Sequence, residues 1–158
     1  MSALKVRAAQ RQKDTQNSAA MLSTFQECDL GNLIAFRDEL GETFEKTHGV
    51  KLGFMSAFLK ASALALQKVP AVNSFIDMDE KEIVYNDFVD INVAVASERG
   101  GVQGSLLSTS MLTAPQSAIL GVHGVKLRPS LHEGKIVPRP MMFLSLTYDH
   151  RIIDGREG

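Results

Sequence analysis

Apolar positions along the chain recur with two periods, one typical of helices and one typical of strands. Helical spacing predicts a helix over residues 55–66, which Pro70 ends. A second helix is predicted after Asp29, a plausible N-cap, and it would close at His48 and Gly49. Residues 5–20 favour a weak, mostly polar helix. The first half of the chain is therefore predicted to be mainly helical.

Strand patterns dominate the second half of the chain. Residues 74–77 and 82–85 flank a polar turn and predict a hairpin, and residues 89–95 alternate as in a strand with one strongly apolar face. Further strands are predicted at residues 21–28, at 117–125 with a bend, at 135–137 closed by Pro138, and at 141–148. Alternating helices and strands in 158 residues indicate one domain of the α/β (α+β) class.

The apolar run 141–147 reads as a strand buried on both faces, and it leads directly to candidate catalytic residues. His150 follows the end of this strand, and Asp154 comes four residues later, before Gly155. A strand end is a rigid base for a catalytic side chain, and the Asp-Gly pair predicts a turn that could fold the carboxylate towards the imidazole. Taken alone the motif is short, so the rest of the chain has to support it.

Composition adds limits on the class of protein. Hydrophobic residues make up 44% and charged residues 22%, as in ordinary globular domains, and the net charge of -1 implies no nucleic-acid partner. Cys28 is the single cysteine, so no internal disulfide can form and a reducing compartment is expected. The longest apolar stretch, residues 54–66, is shorter than the ~20 residues that a membrane helix needs. No membrane association is predicted.

Several common site motifs are missing from the sequence. No glycine-rich nucleotide loop, zinc-like Cys/His spacing or nucleophile-elbow serine motif is present, and the histidines are widely spread. His48 is best explained by a helix end, and His123, next to Gly124, by a structural role. No metal site is predicted.

Four blocks of sequence carry a family resemblance: KLGFMSAFLKA at 51–61, PQSAILG at 115–121, RPMM at 139–142 and DHRIIDG at 149–155. In this order they resemble the catalytic domain of dihydrolipoamide succinyltransferases, the core components of 2-oxoglutarate dehydrogenase complexes of the tricarboxylic acid cycle. The resemblance runs over nearly the whole chain.

This resemblance implies a fold like that of chloramphenicol acetyltransferase, with a mixed sheet flanked by helices. It implies homotrimers that assemble into a cubic core, with the active site at the subunit interface. Coenzyme A and a lipoyl group, supplied by a lipoyl domain that this chain lacks, would enter from opposite ends. The implied partners are the 2-oxoglutarate dehydrogenase and dihydrolipoamide dehydrogenase components, in the mitochondrial matrix or, alternatively, the bacterial cytoplasm.

Carried onto this chain, the family motif implies that His150 is the general base that deprotonates the attacking thiol during succinyl transfer. A thiol is mostly protonated at neutral pH, so an imidazole positioned beside it can accelerate attack by roughly 10²–10⁴-fold. Asp154 matches the second catalytic position, and we expect it to order the site through an ion pair with an arginine, with Arg11 as the candidate. No residue is assigned to coenzyme A.

The chain departs from the family pattern at about residues 100–103, where a strand, a helical segment and a hydroxyl-bearing block are expected. That hydroxyl would stabilise the oxyanion, and loss of one such donor costs ~10²–10³ in turnover. Nothing favours Ser105, Ser108, Thr109 or Ser110 as a substitute. The helical region after the catalytic loop is also missing, so we expect an incomplete domain, 1–158, with impaired transfer. A non-catalytic structural subunit and an acetyl-transferring relative of the pyruvate complex are the alternatives.

Overall fold

The computed structural model of the protein describes residues 1–94 and 106–158. Its helices are α1 (Ala3–Ser18), α2 (Gly31–His48) and α3 (Phe54–Lys68), and a 3-10 turn follows at Pro70–Asn73. Its strands are β1 (Met21–Asp29), β2 (Ser74–Asp77), β3 (Glu82–Tyr85), β4 (Ala118–Val122), β5 (Lys126–His132) and β6 (Lys135–Asp149). The three predicted helices and the β2–β3 hairpin are confirmed.

Strand β6 is the centre of the main sheet. On one side it pairs with β1, from Met21 opposite Asp149 to Asp29 opposite Met141. On its other side it pairs with β4 near its end and with β5 near its start. All pairings among the described strands are antiparallel. The last residues of β6 are therefore held between two strands, which gives the segment after Asp149 a rigid base.

The predicted strand end at Pro138 is wrong, because β6 continues through this residue. Glu133 and Gly134, with φ of 50° and 78°, form the two-residue turn that joins β5 to β6. Counting from this turn, Pro129 and Pro138 face each other at a non-hydrogen-bonded pair, where no amide has to donate to the partner strand. β1 ends opposite Met141, so the missing amide of Pro138 costs no bond on that side either. Strand β5 itself was not predicted.

The strand predicted at residues 89–95 is also wrong for the part that is described. Residues 89–94 form no strand, and residue 95 lies outside the described residues. An alternating pattern selects a face, but a strand also needs a neighbour that takes its backbone hydrogen bonds. Within the described residues, no strand pairs with this segment.

Helix α2 is joined to the sheet at its first residue. Asp29 accepts a hydrogen bond from the Gly31 amide at 2.7 Å. It also forms an ion pair with Arg139 of β6, again at 2.7 Å. The predicted N-cap is wrong by one residue, because Leu30 is at the N-cap, although Asp29 beside it still accepts from the first amide of α2. The buried apolar residues among those described are Leu30, Leu112, Met142, Tyr148 and Ile153. The core is therefore centred on β6 and the loop that follows it.

Candidate active site

His150 lies one residue beyond β6, and its backbone and its ring are both held. Its amide donates to the carbonyl oxygen of Ala20 at 2.8 Å, and its Nδ1 is 2.8 Å from the carbonyl oxygen of Ile153. Because a carbonyl oxygen can only accept, Nδ1 must carry the proton in this bond, so a neutral ring keeps a free electron pair on Nε2. The ring of Tyr148 packs edge-on, with centroids 6.0 Å apart. This geometry leaves Nε2 as a proton acceptor.

The buried carboxylate of Asp149 anchors the loop that carries His150. It accepts hydrogen bonds from the Arg151 guanidinium, at 2.6 Å to 3.0 Å, and from the amides of Ala20 and Arg151. Burial alone would raise the pKa of Asp149, but the bonds from the Arg151 side chain and the two amides lower it below 3.8. The hydrogen bond and charge of Asp149 in turn raise the pKa of Arg151. The pair stays ionised and fixes the strand end.

Asp154 caps a turn and makes no ion pair with arginine among the described residues. Its Oδ1 accepts from the amides of Glu157 at 2.9 Å and Arg156 at 2.8 Å, and these bonds lower its pKa below 3.8. Glu157 in return accepts from the Asp154 amide at 3.2 Å, as in a capping box. The predicted pair with Arg11 is wrong, since Arg11 donates to the carbonyl oxygen of Ala114. An ionised Asp154 is suited to ordering the loop rather than to accepting a thiol proton.

Two of the other histidines, His123 and His48, lie in structural settings. Nε2 of His123 is 2.8 Å from Oγ of buried Ser145, and a side chain at Gly121 would overlap this pair. His48 is in the last turn of α2 and packs on Phe44 with centroids 4.5 Å apart. Both placements agree with the structural roles predicted for these residues.

Two surface clefts lie away from His150. One is lined by residues of α2 and the start of α3, including Phe36 and Phe54, and the other lies along α2 between Leu40 and His48. His150 itself is exposed. Among residues 1–94 and 106–158, no group of three metal-ligating side chains converges, and no helix is long and apolar enough to span a membrane.

Sequence analysis missed the roles of Asp149, Arg151 and Glu157. The signals were present in the same motif, because Asp149 and Arg151 flank His150 and the spacing of Asp154 and Glu157 is that of a capping box. Ser105, one of the hydroxyls considered for the oxyanion, lies outside the described residues.

The fold and motif can be compared with known proteins. A family model described as 2-oxoacid dehydrogenases acyltransferase (catalytic domain) matches residues 1–100 and 100–158. The chain belongs to this acyltransferase family. The family recognised from the four sequence blocks is thereby confirmed.

Relatives within the family share about two residues in five with this chain. It is 43% identical over 205 residues to the mitochondrial dihydrolipoyllysine-residue succinyltransferase component of the 2-oxoglutarate dehydrogenase complex of Homo sapiens, covering 99% of this chain and 45% of that protein. It is 42% identical over 206 residues to the corresponding component of Rickettsia conorii, covering 100% of this chain and 52% of that protein. The chain spans about half the length of these curated relatives.

Solved structures of family members share its fold. The dihydrolipoamide acetyltransferase of Azotobacter vinelandii matches with a TM-score of 0.87 at 26% identity, covering 99% of this chain and 84% of that one. A cubic core of a pyruvate dehydrogenase multienzyme complex also matches with a TM-score of 0.87, at 25% identity, with 99% and 84% covered. The predicted α/β architecture, like that of chloramphenicol acetyltransferase, is confirmed.

Proposed function

We propose that this chain is an acyltransferase catalytic domain that moves a succinyl group between dihydrolipoamide and coenzyme A in a 2-oxoglutarate dehydrogenase complex. The observation that carries this proposal is the identity of 42–43% to succinyltransferase components over essentially the whole chain. The acetyl-transferring structures are less similar, at 25–26% identity. The succinyl group is therefore favoured over the acetyl group.

His150 supplies the base in this proposal. Its Nε2 takes the proton of the coenzyme A thiol while the sulfur attacks the carbonyl carbon of succinyl-dihydrolipoamide. When the tetrahedral intermediate collapses, the carbon to lipoyl-sulfur bond breaks and the imidazolium returns the proton to the leaving sulfur. The bond from Nδ1 to the Ile153 carbonyl supports this role, because it holds the ring and stabilises the imidazolium that forms between the two steps.

Asp154 positions the loop around His150 in this proposal. The A. vinelandii acetyltransferase was investigated for the catalytic role of a histidine and an asparagine that are four residues apart, the spacing of His150 and Asp154. An asparagine can accept the same two amide bonds as Asp154, so both side chains can order the turn. Coenzyme A and the lipoyl group act as substrates, and the lipoyl group would arrive on a separate lipoyl domain.

The domain is proposed to lack an internal segment near residues 100–103. The alignment to the human relative has 205 positions for a chain of 158 residues, and the family match divides at residue 100. If the missing segment holds the oxyanion donor, transfer is slowed by ~10²–10³. A non-catalytic structural subunit is the second candidate, and it is favoured by the extensive exposed apolar surface of the described residues.

For the assembly we propose a homotrimer that builds a larger cubic core, which is the architecture of a solved relative. The proposed partners are the 2-oxoglutarate dehydrogenase and dihydrolipoamide dehydrogenase components. The proposed cellular location of the protein is the mitochondrial matrix or, as the alternative, a bacterial cytoplasm, since relatives of both origins match.

The test is succinyl transfer from succinyl-dihydrolipoamide to coenzyme A by the purified protein and by a His150→Ala variant. We expect the variant to lose roughly 10²–10⁴-fold in kcat, because it removes the proton acceptor. His48→Ala is the matched control, since His48 lies at the end of α2, and it should keep the parent rate. Equal rates for parent and His150→Ala would exclude this base. Assembly without any transfer would establish the structural subunit instead.

A further inference from the structure

The aromatic ring of Tyr148 lies against the ring of His150. The two ring centroids are 6.0 Å apart and the rings are nearly perpendicular, with an angle of 82° between their planes. Perpendicular aromatic pairs at this separation attract each other, since the positive edge of one ring meets the negative face of the other. His150 is otherwise exposed to solvent. The Tyr148 ring therefore limits the directions in which the imidazole can turn.

Tyr148 is held on both sides by the sheet. Its backbone lies in β6 opposite Leu22 of β1 and Ala118 of β4, and its side chain is fully buried. Because side chains alternate along a strand, the Tyr148 ring and the Asp149 carboxylate lie on opposite faces of β6. The loop of His150 is thus held from two directions, since Asp149 fixes its backbone and Tyr148 supports its ring.

The group that accepts the Nδ1 proton of His150 is also fixed. The side chain of Ile153 is fully buried, and its amide donates to the carbonyl oxygen of Asp149 at 3.0 Å. Its own carbonyl oxygen, which is 2.8 Å from Nδ1 of His150, is therefore held in place. An imidazole that is bonded to a fixed acceptor and packed against a fixed aromatic side chain has one preferred orientation.

The turn that Asp154 caps also contacts the Tyr148 ring. Gly158 follows this turn, and its amide donates to the carbonyl oxygen of Asp154 at 3.1 Å. A Cβ added at Gly158 would lie 2.6 Å from Cε1 of Tyr148, so the backbone of Gly158 packs directly on the ring. Tyr148 therefore contacts both the turn that Asp154 orders and the ring of His150.

The hydroxyl group of Tyr148 takes no part in these contacts. It is buried and has no hydrogen-bond partner among the described residues. An unpaired buried hydroxyl destabilises a fold, because it gives up its bonds to water and gains none in return. The contacts with His150 and Gly158 are made by ring atoms, so a phenylalanine can make them as well.

We propose that Tyr148 is a positioning residue for His150, whose ring keeps the proton on Nδ1 and leaves Nε2 free for the substrate thiol. The same ring joins the turn capped by Asp154 to the imidazole, because it contacts both. This inference rests on the proposed function, in which His150 is the base. It assigns the role to the aromatic ring of Tyr148 and none to the hydroxyl.

Rates of succinyl transfer give the first test. Tyr148→Leu should lower kcat roughly 10–10²-fold and leave KM unchanged, because the ring orients the base and binds no substrate. Tyr148→Phe restores the ring and should recover most of the lost rate. Tyr85→Leu, the same change at a tyrosine that is 59% exposed, is the control and should match the parent. A Phe variant as slow as the Leu variant, or a Leu variant as fast as the parent, would overturn the role of the ring.

Solid-state nitrogen NMR of histidine-labelled protein gives a second test that needs no transfer activity. At about pH 8.5, where histidine is ordinarily neutral, a ring nitrogen that carries the proton is distinguished from one that does not. His150→Ala identifies the His150 signals among those of the four histidines. We expect the proton on Nδ1 in the parent and in Tyr148→Phe, and a mixture of both tautomers in Tyr148→Leu. A proton on Nε2 in the parent, or an unchanged spectrum in Tyr148→Leu, would contradict the proposal.

The outcomes separate this inference from the proposed function and from a purely structural role. If the parent transfers no succinyl group, the proposed function fails, while the spectra still decide how the imidazole is held. A tyrosine that only fills the core would lower the melting temperature of Tyr148→Leu without altering its kcat or its tautomer. Thermal unfolding of each variant sets the assay temperature below its transition, and Tyr148→Met, with a flexible side chain that fills the site, replaces a Leu variant that does not fold.

Discussion

At the residue scale, the loop of His150 depends on one buried carboxylate. Asp149 accepts bonds from its neighbour Arg151 and from Ala20, which lies 129 residues earlier in the chain. These bonds set the backbone from which the His150 amide and ring make their own contacts. A shift of the Asp149 side chain would therefore move Nε2 of His150, the proton acceptor. A displacement of 1 Å in a catalytic group can lower the rate about 10²-fold.

Replacing Asp149 by Asn should destabilise the fold by about 1–3 kcal/mol at pH 7, because Arg151 loses its charged partner. In the folded state the pKa of Asp149 lies below its ordinary value of 3.8. The stability that the ionised carboxylate contributes is therefore fully present above pH 3.8 and is lost as the pH falls through the folded-state pKa. Urea unfolding should give a constant deficit from pH 5 to pH 8 and a smaller one below about pH 4. Asp87→Asn, an exposed carboxylate, is the control. A deficit that did not change with pH would contradict the ion pair.

At the scale of elements, β6 leads into the candidate active-site loop at its end and forms a hairpin with β5 at its start. Its end is held by β1 and β4, whereas its start is paired with β5 alone. Pro138 fits here because neither neighbouring strand needs its amide. The turn of Glu133 and Gly134 then sets the register that keeps Leu127, Leu131 and Ile136 on one face of the β5–β6 hairpin.

Substitutions at the two residues of the β5–β6 turn should change the free energy of unfolding in opposite directions. Gly134→Ala should cost about 1 kcal/mol, because φ is 78° at this position, whereas Glu133→Asn should gain a few tenths of a kcal/mol, because asparagine tolerates positive φ. Gly41→Ala is the control within α2, where a Cβ meets open space, and it should stabilise by about 0.5–1 kcal/mol. Chemical denaturation measures all three. A neutral Gly134→Ala would show that the left-handed turn is not required.

At the scale of the whole molecule, the apolar surface is unusually open. Among the described residues, 23 large hydrophobic side chains are exposed and five are buried. A domain of this length ordinarily buries roughly 68–70% of its unfolded surface. The described chain therefore needs further surface, from the proposed missing segment or from other copies, to bury these side chains.

Inserting the corresponding segment of the human relative between Arg99 and Gln103 should supply part of that surface. We expect a higher melting temperature and a transfer rate raised by about 10²–10³, if the segment brings the oxyanion donor. A glycine-serine linker of equal length is the matched control and should give neither effect. Calorimetry and the transferase assay measure the two effects. Equal behaviour of linker and segment would contradict the proposed gap.

Much of the architecture was predictable from local pattern. Helical spacing located α3, turn residues located the β2–β3 hairpin, and the apolar run before His150 located the end of β6. Strand β5 was missed because Pro129 interrupts its alternating pattern, and a proline inside such a run argues against a strand. The strand expected at residues 89–94 failed because no described neighbour pairs with it.

The sequence by itself determined the family, through the resemblance of four blocks in order, and the position of His150 at the end of an apolar strand, through local periodicity. Only the tertiary structure decided which ring nitrogen of His150 is free. It also decided that the ion pair joins Asp149 to Arg151, whereas the sequence had suggested Asp154 and Arg11. Such choices depend on groups far apart in the chain, such as Ala20 and Asp149. Short-range pattern carries no information about which of several possible partners is within hydrogen-bonding distance.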